Sequence, residues 1–195
     1  DYTTFTFSQA MTIAAHYHQA GQLQEAVKIC HQMLQLHPEE VEAYNSLGHL
    51  LTAQGHFEEA ENCYRQVLLR KPDFAIAHGH LGSVLATQGK IDEASWHFQE
   101  VLKVNPKLGN IRIKLALLWP VIMGSPQDLW KSRWRMENQL MELLRSDITL
   151  QNPVNEVGIT NFFSAYHGLN DKDIQVKLAS FYQRACPALL YQAPH

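Results

Sequence analysis

The stretch Gly55–Phe74, GHFEEAENCYRQVLLRKPDF, decides how the rest of the chain is read. Moved back by 34 residues, the window becomes GQLQEAVKICHQMLQLHPEE, and moved forward by 34 it becomes GKIDEASWHFQEVLKVNPKL. Gly21, Gly55 and Gly89 recur, as do Glu25, Glu59 and Glu93; Ala26, Ala60 and Ala94; Leu34, Leu68 and Leu102; and Pro38, Pro72 and Pro106. A fixed period of this size is the mark of one supersecondary unit stacked on copies of itself.

Each recurring residue has a mechanical reason. The Gly falls where one helix ends and the next begins, and a positive φ costs it little. The Ala is small, so two helices can approach closely; Ala14, Gly48 and Gly82 occupy the facing positions. Tyr44, Leu47 and Leu51 space one apolar stripe, and Cys63, Tyr64, Val67 and Leu68 space the facing one. The Pro closes the second helix, because it disfavours helical geometry in the residue before it. The pattern predicts helix pairs at about 8–20 with 23–37, 41–54 with 57–70, and 75–88 with 91–105, and a further first-type helix at about 107–122.

This unit resembles the tetratricopeptide repeat. The resemblance implies an all-α fold: a right-handed tetratricopeptide superhelix with a concave groove, followed by a helical capping and linker segment. We expect residues 1–122 to hold three repeats plus the fourth first-type helix, and 123–195 the capping and linker region.

After Pro106 the period breaks. Pro120 falls inside the expected fourth helix, and no Gly or Glu-Ala pair follows at the repeat spacing. In GSPQDLWKSRWRMENQLMELL, Ser125 suits an N-cap, Pro126 the first helical position and Asp128 the first turn. Leu129, Arg133, Met136, Leu140 and Leu143 form one stripe with Trp130, Trp134, Met141 and Leu144 beside it, wide enough to cap the repeats and to touch something else. Residues 147–158 read as a loop with a turn at Asn152-Pro153, and ITNFFSAYHGLN is open between helix and extended chain. DKDIQVKLASFYQRACP reads as a helix capped by Asn170, with Ile174, Leu178 and Phe181 on one face and Pro187 as its stop.

The chain has 195 residues, 46% of them hydrophobic, which is enough for a packed core. Sixteen basic against nineteen acidic residues give a formal charge of −3, which argues against a nucleic-acid partner. Three cysteines, Cys30, Cys63 and Cys186, fit a reducing compartment, and we expect a cytoplasmic protein. Leu115–Met123, the longest apolar run, holds a Pro and is too short to span a bilayer, so no membrane partner is expected. The chain begins at Asp1 and ends in YQAPH, and we read it as a piece of a longer protein.

No catalytic residue, metal site or cofactor is expected. Among eleven histidines, His16/His18 and His78/His80 sit two apart on helices and diverge, whereas paired helical ligands want spacings of three or four. Surface or groove histidine is the preferred reading, with a metalloprotein or self-contained enzyme as the other. Cys30 and Cys63 fall at packing positions and read as buried small hydrophobes. Trp119, Trp130 and Trp134 read as core packing before ligand binding. Asp171 and Asp173 read as charges at a helix start.

What remains is a groove. The resemblance to tetratricopeptide repeats turns positions 2, 5, 6, 9 and 12 of each first helix inward. These are Ser8, Met11, Thr12, Ala15 and His18; Glu42, Asn45, Ser46, His49 and Thr52; and Ile76, Gly79, His80, Ser83 and Ala86. The surface is polar, small and nearly uncharged, and suits an extended peptide. We take Met11, His18, Glu42, Asn45, Ser46, His49, Thr52, Ile76, His80 and Ser83 as the candidate peptide site.

The tail adds a second resemblance. Tyr166-His167-Gly168-Leu169-Asn170-Asp171 and Cys186-Pro187-Ala188-Leu189-Leu190, following such repeats, resemble the segment before the catalytic domain of bacterial SPINDLY-like glycosyltransferases, which are similar to the O-linked N-acetylglucosamine transferases. That resemblance implies a downstream nucleotide-sugar-binding domain, absent from this chain, with the repeats recruiting protein substrates. The animal enzymes place Asn at position 6, where this chain has Thr12, Ser46 and His80. The expected function is therefore the substrate-recruiting region of a protein O-glycosyltransferase. The alternative is a freestanding adaptor or scaffold, although the carboxylate-clamping kind needs groove cations that these positions lack.

Overall fold

In a computed structural model of the chain, the described residues are 6–120, 124–152, 156–157 and 170–186. Among them are nine α-helices and no strands. By its contacts the chain forms two compact units, Asp1–Gln88 and Gly89–His195.

The first unit holds α1 (Phe7–Gln19), α2 (Leu23–Leu36), α3 (Val41–Gln54), α4 (Phe57–Arg70) and α5 (Ala75–Thr87). Helix α2 packs on α1 and α3, and α4 packs on α3 and α5. Thr6 opens α1 with a capping box: Gln9 N–H donates to its hydroxyl oxygen, and Gln9 Oε1 accepts from Thr6 N–H at 2.9 Å. Helices α2 and α4 start without a side-chain cap; Glu25, Glu58 and Glu59 stand in their first turns instead, where carboxylates offset the positive end of the helix dipole. This accounts for the recurring Glu.

The other recurring residues behave as their chemistry demands. Gly21, Gly55 and Gly89 have φ of 74°, 81° and 78°, while a Cβ at any of them would meet nothing within 4 Å. Their need is conformational rather than spatial. Gly48 is the opposite case, since an added Cβ would stand 2.8 Å from Tyr64 Cε1. Ala26 and Ala60 are fully buried at the crossings. Helices α2 and α4 end two residues before Pro38 and Pro72, and the intervening His37 and Lys71 leave helical geometry at φ −135° and −130°.

The second unit holds α6 (Ile91–Val104), α7 (Gly109–Leu117), α8 (Pro126–Leu144) and α9 (Lys172–Ala185). Helix α7 is shorter than the predicted 107–122: Leu118 turns extended, and Trp119 precedes Pro120, which disfavours the helical region for it. Ser125 caps α8 with Pro126 in its first turn, as expected. Asn170 is not the N-cap of α9; Asp171 holds that place, and Asn170 Oδ1 accepts from Lys172 N–H at 3.0 Å. Ile113, Met136, Leu140, Leu143, Ile174 and Phe181 form the heart of this unit's core.

Two arginines tie α8 to α9. Arg133 pairs with Asp171 at 2.7 Å and donates to the Asn170 carbonyl, joining the early part of α8 to the start of α9. Arg184 donates to the carbonyls of Leu143, Leu144 and Ser146, so the last turn of α9 closes the open end of α8. Start meets start and end meets end, so the two helices run parallel.

Several expectations need correction. Trp119 is buried, but Trp130 and Trp134 are 59% and 71% exposed, so the three do not pack as one core cluster. His78 and His97 are buried rather than surface or groove residues. Burial of His78 is satisfied by the Pro72 carbonyl, 2.8 Å from its Nε2. Residues 153–155, 158–169, including Tyr166–Leu169, and Pro187–His195 lie outside the described residues, with the readings made there.

Candidate functional site: the inner face of the first unit

A cavity of about 240 Å³ opens between α1, α3 and the start of α5, bounded by Met11, Ala14, Ala15, His18, Asn45, Ser46, His49, Leu50 and His80. Six of the ten candidate groove residues meet there: Met11, His18, Asn45, Ser46, His49 and His80. Glu42, Thr52, Ile76 and Ser83 lie outside its lining. Glu42 is exposed and engages Lys71 Nζ at 3.2 Å; a hydrogen bond from its own backbone N–H and that lysine hold its carboxyl below the usual range. Ile76 is 54% exposed and Ser83 half-buried.

The hydroxyl protons of Thr12, Thr52 and Ser83 are donated to the carbonyls of Ser8, Gly48 and Gly79 in the preceding turn, at 2.8–3.0 Å. Asn45 Oδ1 is buried without a hydrogen-bond partner among the described residues. Such a surface can accept from the N–H groups of an extended chain, and its histidine rings and the Asn45 amide can donate.

The sequence reading missed a row of imidazoles. The rings of His18 and His49 meet edge-on with centroids 5.0 Å apart, and those of His49 and His80 lie 5.6 Å apart. Tyr64 extends the row from α4, its hydroxyl 3.1 Å from His80 Nδ1 and its ring edge-on to His80 at 5.4 Å. His49 is exposed as a residue, but partial desolvation of its ring and the neighbouring His18 both hold its pKa below the ordinary value. Burial pushes the Tyr64 phenol up to about 12, partly opposed by a hydrogen bond with Thr52. The signal was present as a spacing: His18, His49 and His80 fall 31 residues apart, one repeat less nearly one helical turn. Pairs within a helix cannot show this.

The cysteines are packing residues. Cys30 and Cys63 are buried and free, their thiols pushed up by burial to about 12 and about 11. No group of three or more His, Cys, Asp or Glu suited to a metal ion occurs among the described residues. No helix among them is long and apolar enough to cross a membrane.

Residues 17–81 match the family model described as tetratricopeptide repeat. The fold is all-α, of the tetratricopeptide-repeat type. Solved structures agree with that fold. A mutant O-GlcNAc transferase of Thermobaculum terrenum is 19% identical with a TM-score of 0.58; the match covers 71% of this chain and 25% of that one, so the chain spans about a quarter of its length. The MamA protein is 16% identical with a TM-score of 0.63 over 96% of both chains. A further MamA chain, MSR-1 C2, is 16% identical with a TM-score of 0.59, covering 71% of this chain and 78% of that one. No curated protein matches.

Proposed function

We propose that the tetratricopeptide face built by α1, α3 and α5 binds an extended segment of a protein partner, and that the chain is the substrate-recruiting region of a nucleotide-sugar-dependent protein O-glycosyltransferase. The observation that carries the first part is the cavity beside His49, where the Asn45 amide, the Ser46 hydroxyl and three imidazoles converge with almost no fixed charge. Backbone-directed hydrogen bonding suits such a surface. The second part is supported by the tail motifs and by the fold likeness to an O-GlcNAc transferase.

In this reading 1–122 is the recruiting part and 123–195 the junction to a catalytic domain. The exposed Trp130 and Trp134 on α8 are the side chains that meet that domain. The compartment is the cytoplasm. A freestanding adaptor is the second reading, supported by the MamA chain of similar extent that shares the fold.

Capture of peptides from an array at neutral pH tests the groove. Wild-type protein should retain a subset that Ser46→Arg, which fills the cavity, loses while keeping its helical circular-dichroism spectrum. Equal retention by both proteins refutes the groove. Reading the gene beyond the codon for His195 tests the parentage: a frame without a nucleotide-sugar-binding domain leaves only the adaptor.

A further inference from the structure

We propose that the His18–His49–His80 row is a proton-gated site for a carboxylate-bearing peptide. The inference rests on the peptide-groove reading and names the chemistry of the occupant.

Charge on these helices points that way. Helices α1, α3 and α5 contain no Lys and no Arg, and their one carboxylate, Glu42, is engaged by Lys71. With neutral imidazoles the face offers an anion no fixed cation. Protonated imidazole is the only positive charge that α1, α3 and α5 can present, and three such rings lie in one contiguous row beside the cavity.

The groups facing the row can be named helix by helix. Helix α1 brings His18. Helix α3 brings His49, with Glu42 two turns away on the same side. Helix α4 brings the Tyr64 phenol, and Lys71 follows its end beside Glu42. Helix α5 brings His80, and α2 contributes nothing to the cavity lining.

Proton uptake and anion binding are then coupled. Positive charges on rings 5.0 and 5.6 Å apart repel one another. The lowered His49 pKa agrees with this. A carboxylate seated on the row relieves that repulsion and favours the charged rings. When His80 is protonated, Nδ1–H donates to the Tyr64 oxygen. A glutamate side chain keeps its charge down to about pH 4.3, while imidazole gains one below about pH 6.5. Affinity for an acidic segment should therefore rise as pH falls from neutral and decline again once the ligand protonates.

Fluorescence anisotropy of the full chain with labelled (Glu-Gly)4 and (Gln-Gly)4 peptides tests this at fixed ionic strength. A one-unit rise in one histidine pKa on binding corresponds to about tenfold in affinity. We expect the acidic peptide to bind about tenfold more tightly at pH 5.5 than at pH 7.5, and the Gln peptide to show no such change. His49→Gln and, separately, His18→Gln should abolish the pH effect, with folding confirmed by circular dichroism. His16→Gln, on the exposed side of α1, should preserve it. Equal affinity at both pH values, no binding at pH 5.5, or a pH effect retained in both His→Gln variants overturns the proposal. Array capture at neutral pH that survives such a result leaves the groove reading standing; loss of both sinks the groove as well.

Discussion

Gly48 on α3 lies against the ring of Tyr64 on α4: a Cβ on Gly48 would stand 2.8 Å from Tyr64 Cε1 and 2.9 Å from Cζ. The ring is 1% exposed, and its hydroxyl is held at His80, so it has little room to yield. Gly48→Ala gains up to about 1 kcal/mol of helix propensity but overpacks this contact at about 1–3 kcal/mol. The expected net loss is about 1 kcal/mol, read as a lower urea midpoint. A higher midpoint would mean the ring moves aside freely.

Ala60 tests the same crossing from the other helix. It is fully buried on α4. Ala60→Leu should cost about 1–3 kcal/mol by overpacking. An unchanged melting temperature would contradict the tight approach of the two helices.

Arg184 tests the second unit. Its guanidinium serves the Leu143, Leu144 and Ser146 carbonyls at the end of α8, but the residue is exposed, so water competes for them. Arg184→Met keeps the stem and removes the donors. We expect a loss of about 1 kcal/mol, with faster amide exchange in the last turn of α8. Unaltered exchange there would show that the arginine does not hold this end.

Alkaline stability follows from buried neutral groups. Cys30 and Cys63 rise from 9.0 to about 12 and about 11, and Tyr64 from 10.0 to about 12. These folded values exceed the unfolded ones, so their contribution is full below pH 9 and is lost as pH climbs through about 11–12. The melting temperature should hold up to pH 9 and fall above it. Thiol reagents at pH 8 should label both cysteines only as the protein unfolds.

His49 has the opposite sign. Its folded pKa lies below the ordinary 6.5, so the folded state resists taking the proton that the unfolded chain accepts. Stability of the first unit should be full above pH 6.5 and fall as pH drops below it. His49→Gln should flatten that decline. A wild-type stability that is level from pH 7.5 to 5.5 would contradict the desolvation of this ring.

Local residues carried much of this molecule into view. The positive φ at Gly21, Gly55 and Gly89 and the helix stops before Pro38 and Pro72 are backbone preferences acting over a few atoms, so they are legible one residue at a time. The buried Ala and the apolar stripes are legible because a helix repeats on a fixed angle. Asn170 was misplaced by one position because helix ends frayed by a turn satisfy nearly the same hydrogen bonds. Trp130 and Trp134 were misjudged because size and hydrophobicity do not state which face of α8 meets a neighbour.

The sequence by itself determined the all-α repeat: its period, its hairpins and its small crossings. These depend on chain stereochemistry and helical geometry, which are local. Only the tertiary structure decided that His18, His49 and His80 touch, that Tyr64 reaches through from α4 to join them, and that α8 and α9 run parallel with Arg184 closing the end. Those relationships depend on the offset between helices that are distant in the chain, a quantity set by packing.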